Sequence, residues 1–229
     1  CDFVFTCVGN DQDVEQVIMG TDGVLNTLES GSVIVDHTTA SVTIAQAVNQ
    51  RTQEAGIGFI DAPISGGQSG AQQGILSIMC GGTEEHFEKA LPVMESYGKT
   101  MTLIGPSGSG QFTKMVNQIC IAGLVQALSE ALNFGQNAGL DMERALDVIS
   151  GGAAQSWQME NRGNTMLDNK FDFGFAVDWM RKDLRICIEE AKENGSELPI
   201  TALVAQFYAR LSNLGYGKND TSSLIRLLR

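Results

Sequence analysis

The feature that most constrains this chain is a change of pattern at Gly105-Pro106-Ser107-Gly108. Before it, short apolar runs alternate with amphipathic stretches; after it, no strand pattern recurs. Val4–Val8, Ser32–Asp36, Ile57–Asp61, Leu76–Cys80 and Thr100–Ile104 read as strands that are apolar along most of their length. Such runs belong to strands covered on both faces. Between them, Asp11 stands as the N-cap of a helix to about Met19, and Thr38, Thr39 and Ser41 offer caps for one over about Val42–Ala55. Thr83, followed by two acids that suit the positive end of a helix, opens a third. Strands alternating with helices specify an α/β unit with a mostly parallel sheet, over residues 1–107. Residues 108–229 read as all-helical. One helix runs from about Ser109 to Ala138, Asp141 caps the next, and others cover roughly Ser156–Asp168, Val177–Asn194, Pro199–Asn213 and Thr221–Leu228.

Charge narrows the function. Fifteen basic and 27 acidic residues leave a net charge of −12, which argues against nucleic acid or an anionic membrane surface as partner. An anionic ligand has to be met by a local arrangement of groups, since the global field repels it. Cys1, Cys7, Cys80, Cys120 and Cys187 are scattered and odd in number, the pattern of reduced thiols in a cytoplasmic protein. His37 and His86 are far apart and no cysteine pair has ligand spacing, so no metal site is expected. No run reaches the ~18 uninterrupted apolar residues of a membrane span. The chain opens inside an apparent strand at Cys1, with neither Met nor a signal-peptide pattern, and is expected to lack a preceding segment.

Lys114 is the anomaly of the helical part. Between Gln111 and Ser129 it is the only charge, with apolar residues on every side. A cation in the first turns of a buried helix gains nothing from the macrodipole and is pushed toward its neutral form, which makes it a usable general acid/base. Asn117 and Gln118 follow at i+3 and i+4 on the same face. The alternative is a helix-end lysine laying its stem over apolar surface. A second constellation, Asp61-Ala62-Pro63-Ile64-Ser65-Gly66-Gly67, leaves the carboxyl end of a strand, where open parallel sheets bind ligands. Ser65 with the bare amides of Gly66 and Gly67 offers a nest for a carboxylate, or is an ordinary glycine-rich turn. Cys7-Val8-Gly9-Asn10 and Asp36-His37-Thr38-Thr39 end two further strands at the same edge. Lys182 and Arg185 share a helix with Asp183 and read as a solvated, ion-paired face. Gly215-x-Gly217-x-x-Asp220 follows a helix, not a strand, and reads as a turn and cap.

Taken in order, these segments resemble the β-hydroxyacid dehydrogenase family, to which 3-hydroxyisobutyrate dehydrogenase and tartronate semialdehyde reductase belong. Asp61–Gly67 looks like its substrate-binding motif, and Gly108-Ser109-Gly110-Gln111-Phe112-Thr113-Lys114-Met115-Val116-Asn117-Gln118 looks like its catalytic motif. The resemblance implies Lys114 as the catalytic lysine, and Ser65, Gly66, Gly67 and Asn117 as substrate-binding residues. It places cofactor contacts at Cys7, Val8, Gly9 and Asn10, with Gly9 where many relatives have proline, and at Thr39, Phe175 and Lys182. It implies hydride transfer between NAD or NADP and a small 3-hydroxy acid or its semialdehyde, in a cytoplasmic homo-oligomer, a dimer or tetramer. The implied fold is a Rossmann-like domain, truncated at its front, followed by the helical domain. The family's leading Gly-x-Gly-x-x-Gly unit and the strand that selects NAD or NADP are not found here; they amount to two βα units of ~30 residues each. Open alternatives are an imine reductase-like or 6-phosphogluconate dehydrogenase-like oxidoreductase, and a non-catalytic helical dimerisation or binding module.

Overall fold

Val33–Asp36 (β2) and Gly58–Asp61 (β3) are buried at every residue, and the first half of the protein is built around them. In the computed structural model, which describes residues 1–229, the chain forms two compact units, Cys1–Val116 and Asn117–Arg229. In the first, β1 (Phe3–Thr6) pairs parallel with β2 and β2 with β3, so that Thr6, Asp36 and Asp61 lie in register at one edge. The period of two sends alternate residues to opposite faces. Val33, Val35 and Ile60 join Leu76, Ile78, Cys80, Ala90 and Met94 in one core. Ile34 and Phe59 join Val14, Ile18, Ala45 and Val48 in the other.

Three helices cover these faces: α1 (Asp11–Met19), α2 (Val42–Glu54) and, after a short intervening helix, Glu84–Met94. Ser41 caps α2 through the N–H of Ile44, and Thr83 caps Glu84–Met94 through that of His86. Asn10, not Asp11, caps α1, accepting from the N–H of Asp13. Asp11 lies inside the helix and accepts instead from the N–H of Ser41 at 2.9 Å. The glycine-rich stretch after Pro63 is more ordered than a turn. Ile64–Ser65 forms a two-residue strand, β4, and Gly67–Gln73 a short helix, α3, ended by the left-handed Gly74.

β5 (Leu76–Gly81) runs antiparallel to β3 and β4 and parallel to β6 (Gly98–Gly105). The sheet is mostly parallel, as expected, but β6 is not covered on both faces: its residues alternate between exposed and half-buried from Thr100 on. Glu84–Met94 is α4.

Helix α5 (Ser109–Asn137) starts in the first unit and continues into the second. It is the one helix long and apolar enough, by length and composition, to cross a membrane. In the second unit that apolar length forms the core. Ala122 and Val125 pack with Val177, Met180, Leu184, Val204, Tyr208 and Leu211, while Leu128 and Leu132 pack with Leu146, Met159 and Met166. These neighbours come from α6 (Met142–Ile149), α7 (Trp157–Leu167), α8 (Val177–Asn194) and α9 (Pro199–Leu211). Thr221–Leu228, expected as α-helix, is a 3₁₀ segment. Before it, Ser212–Tyr216 is a π-helical turn broken by Gly215 at φ 91°.

Candidate active site

The carboxyl ends of β1, β2 and β3 each carry a buried polar residue, and each has a defined task. Asp36 accepts from the hydroxyls of Thr6 and Thr38, at 2.8 and 2.6 Å, and from the N–H of Thr38. The Thr38 hydroxyl oxygen in turn accepts from the N–H of Val8 at 2.9 Å. One carboxylate thus ties the loop after β1 to the loop after β2. Burial pushes the Asp36 carboxyl up, against the opposing pull of the threonine donors. Next to it, Gly9 donates to Asp13 and Asn10 caps α1, while Cys7 is exposed. Thr39 is half-buried at the same edge.

His37 has a structural task. Its Nδ1 lies 2.7 Å from the carbonyl of Ala62 and its Nε2 2.8 Å from the Tyr97 hydroxyl. A carbonyl only accepts, so Nδ1 carries the proton and Nε2 accepts from tyrosine. Burial lowers the imidazole pKa, with the Ala62 carbonyl and the Asp36 charge opposing it. The Ala62 carbonyl it holds lies immediately before Pro63, in the loop that leads to Ser65.

Asp61 closes the edge and caps the start of α5. Its two oxygens accept from the N–H of Gly108 at 2.7 Å and of Gln111 at 3.1 Å. A carboxylate 47 residues upstream of Gly108 therefore does for α5 what a local N-cap does elsewhere. Gly81 and Gly110 permit the approach. A Cβ at Gly110 would sit 2.4 Å from the carbonyl oxygens of Asp61 and Met79, and one at Gly81 2.7 Å from Asp61 Oδ1. One turn further on, Lys114 is buried, and its Nζ donates to the carbonyl of Ile64 at 2.7 Å. The sequence motifs are thereby joined in the first unit, with the lysine of one held on the main chain of the other. Ser65 is half-buried beside Ile64, and Gly66 and Gly67 are exposed with φ of 132° and 59°.

The second unit holds the remaining motif residues. Asn117 donates to Gln118 at 2.9 Å, and Gln118 donates to the buried Asp183 at 2.5 Å. Lys182, expected on a solvated face, is instead largely buried and lies 3.3 Å from Asp183. Phe175 packs against the core around Val177 and Tyr208. Gln118 is legible as the last residue of its motif and Asp183 only as a neighbour of Lys182; their pairing across 65 residues leaves no sequence signal.

The loops after β1 and β2 offer an uncharged edge, where a nicotinamide ring, cationic when oxidised and neutral when reduced, would meet no basic side chain. Residues 7–10 and 38–41 contain only small or neutral side chains (Cys, Val, Gly, Asn; Thr, Thr, Ala, Ser), and the Asp36 charge between them is buried beneath hydroxyl donors.

Comparison with known proteins agrees with this construction. Residues 1–105 match the NAD-binding domain of 6-phosphogluconate dehydrogenase, and residues 108–228 match the NAD-binding family of NADP-dependent 3-hydroxyisobutyrate dehydrogenase. An oxidoreductase of Shewanella frigidimarina is 52% identical over 227 residues, covering 99% of this chain and 78% of its own. The 2-hydroxy-3-oxopropionate reductase of Escherichia coli is 36% identical, with the same coverage. The crystal structure of a 3-hydroxyisobutyrate dehydrogenase from Salmonella typhimurium superposes with a TM-score of 0.89 at 31% identity, over 99% of this chain and 79% of that one. A parallel-dominated sheet followed by helices, two motifs met at one buried lysine, and these likenesses lead to one conclusion: the chain belongs to the β-hydroxyacid dehydrogenase family, enzymes that use NAD or NADP to act on small hydroxyacids.

Proposed function

We propose that this protein catalyses the reversible oxidation of a small 3-hydroxy acid to its semialdehyde, with Lys114 as the general acid/base. The observation that carries the proposal is the placement of Lys114. It is 6% exposed, on a helix whose neighbouring side chains are uncharged, and fixed 2.7 Å from the carbonyl next to Ser65. NAD or NADP, held by the loops after β1 and β2, would supply the hydride acceptor for oxidation and the hydride donor for reduction. Lys114, as the free amine, takes the substrate hydroxyl proton in oxidation; as the ammonium it gives a proton to the carbonyl oxygen in reduction. Ser65 and the amides of Gly66 and Gly67 hold the carboxylate, which answers the acidic background with local donors. In the helical unit we assign Asn117 to the reacting oxygen and Phe175 and Lys182 to the cofactor, on the motif match alone. Cys7, Val8, Gly9, Asn10 and Thr39 are assigned to the cofactor on the same ground.

We assign residues 1–107 to the nucleotide-binding domain and 108–229 to a helical domain for substrate and self-association, in a cytoplasmic homo-oligomer. The test is Lys114→Met in the full enzyme: turnover should be abolished while NADH or NADPH, titrated by fluorescence, still binds. Near-normal turnover would falsify the role of Lys114.

A further inference from the structure

We infer that Gln111 is a positioning residue, strapping both flanks of Thr39 to the turn of α5 that presents Lys114. Gln111 is 1% exposed, the most buried amide at this end of the sheet. Its Nε2 donates to the carbonyl of Thr38 at 2.8 Å and its Oε1 accepts from the N–H of Ala40 at 3.0 Å. One side-chain amide thus reads the main chain on either side of Thr39 as a neighbouring strand would. The partners fix its orientation, since a carbonyl only accepts and an N–H only donates. Its own N–H is held by Asp61, so the side chain projects from an anchored point. Thr38 is bound from the other side as well, through Asp36 and Val8. A continuous polar chain therefore runs from the loop after β1, through Thr38, to Gln111 and Asp61. Lys114 lies three residues on from Gln111 and is itself tied to Ile64.

The inference rests on the proposed function, in which Thr39 contacts the cofactor and Lys114 moves the proton. The strap then sets the distance between the hydride-accepting side of the site and the proton-accepting side. Such alignment acts on the chemical step more than on binding, because small displacements from the reactive geometry are costly: ~1 Å costs ~100-fold in rate.

The test is Gln111→Leu, which keeps the volume and removes both hydrogen bonds, with Gln111→Glu as its companion. For Gln111→Leu, kcat per folded molecule should fall ~10- to 100-fold, substrate KM should change less than about threefold, and the primary isotope effect with deuterated cofactor should rise. An ionised Glu keeps the acceptor for Ala40 but sets a carboxylate against the Thr38 carbonyl. A protonated Glu supplies donor and acceptor together. Activity of Gln111→Glu relative to wild type in the reduction direction should therefore recover as pH falls from about 8 to about 5.5, with the Glu proton retained by burial. Gln111→Leu should show no such recovery, and if that variant fails to fold, the rescue profile alone decides. A lowered melting temperature with unchanged kcat, or a flat Gln111→Glu profile, overturns the strap. Lys114→Met is measured alongside. Turnover lost only in Lys114→Met removes the strap and leaves the acid/base intact. Turnover lost only in the Gln111 variants removes Lys114 as acid/base, and with it the strap as stated. Turnover retained in all removes both.

Discussion

The Nζ of Lys114 donates to the main-chain carbonyl of Ile64 at 2.7 Å, so the residue proposed to move the proton also pins the loop proposed to hold the substrate. The two tasks separate by substitution. Arginine keeps a cationic donor for the Ile64 carbonyl but does not release a proton near neutral pH. Lys114→Arg and Lys114→Met should both lose kcat by ~100- to 10,000-fold. The urea midpoint of Lys114→Arg should lie nearer to wild type than that of Lys114→Met. Substantial turnover in Lys114→Arg would mean that holding the loop is the whole of the lysine's contribution.

Asp61 makes stability depend on pH. Burial pushes its carboxyl up to about 6, while the donors at Gly108 and Gln111 pull the other way. An aspartate in the unfolded chain titrates near ~4, so the folded protein holds this proton more tightly than the unfolded chain does. The stabilisation is fully present below pH ~4 and is lost as pH rises through ~6. Against Asp61→Asn, which does not titrate, wild type should lose on the order of 3 kcal/mol between those limits. Urea denaturation of both proteins at several pH values reads this difference directly; a constant gap across the range contradicts it.

Gly110 is tightly enclosed in the first turn of α5, which leads to Lys114. A Cβ there would meet the carbonyl oxygens of Asp61 and Met79 at 2.4 Å, and these are main-chain atoms that do not swing aside. Gly110→Ala should therefore destabilise the protein by ~1–3 kcal/mol and displace the turn that leads to Lys114. Denaturant unfolding and kcat should both register it. A fully stable, fully active Gly110→Ala protein would show that β3, β5 and the start of α5 can part without consequence.

Much of this could be read in the residues themselves. Thr83 and Asp141 cap the helices expected to open at them, and Ser41 is the one of three candidates that caps α2, because an N-cap is a local bond between near neighbours. Where two adjacent residues carry the same cap chemistry, local pattern does not choose between them. Asn10 is the one with extended backbone, and Asp11 was freed to reach Ser41. The two motifs were visible as sequence, but the bonds that make them one site were not. Asp61 to Gly108, Gln111 to Thr38 and Lys114 to Ile64 join residues 47 to 73 positions apart, and only the sheet brings them together. β4 is likewise a product of tertiary pairing: Ile64 and Ser65 become a strand because Ile78 and Ser77 lie beside them.

Asp183 does the corresponding work in the helical unit. It is 4% exposed, accepts from Gln118 at 2.5 Å and lies 3.3 Å from the Nζ of Lys182. Removing one member of a buried ion pair strands the charge of the other, at a cost of ~3–5 kcal/mol. Asp183→Ala should destabilise the protein by about that much. Asp183→Asn strands the Lys182 charge in the same way but keeps an oxygen for Gln118, so its loss should be smaller than that of Asp183→Ala by ~1–2 kcal/mol. The ordering matters more than either value. If the two substitutions cost the same, the carboxylate serves Lys182 alone; if neither costs anything, the pair is solvated in solution and the burial of Lys182 beside Asp183 is not what holds α8 to α5.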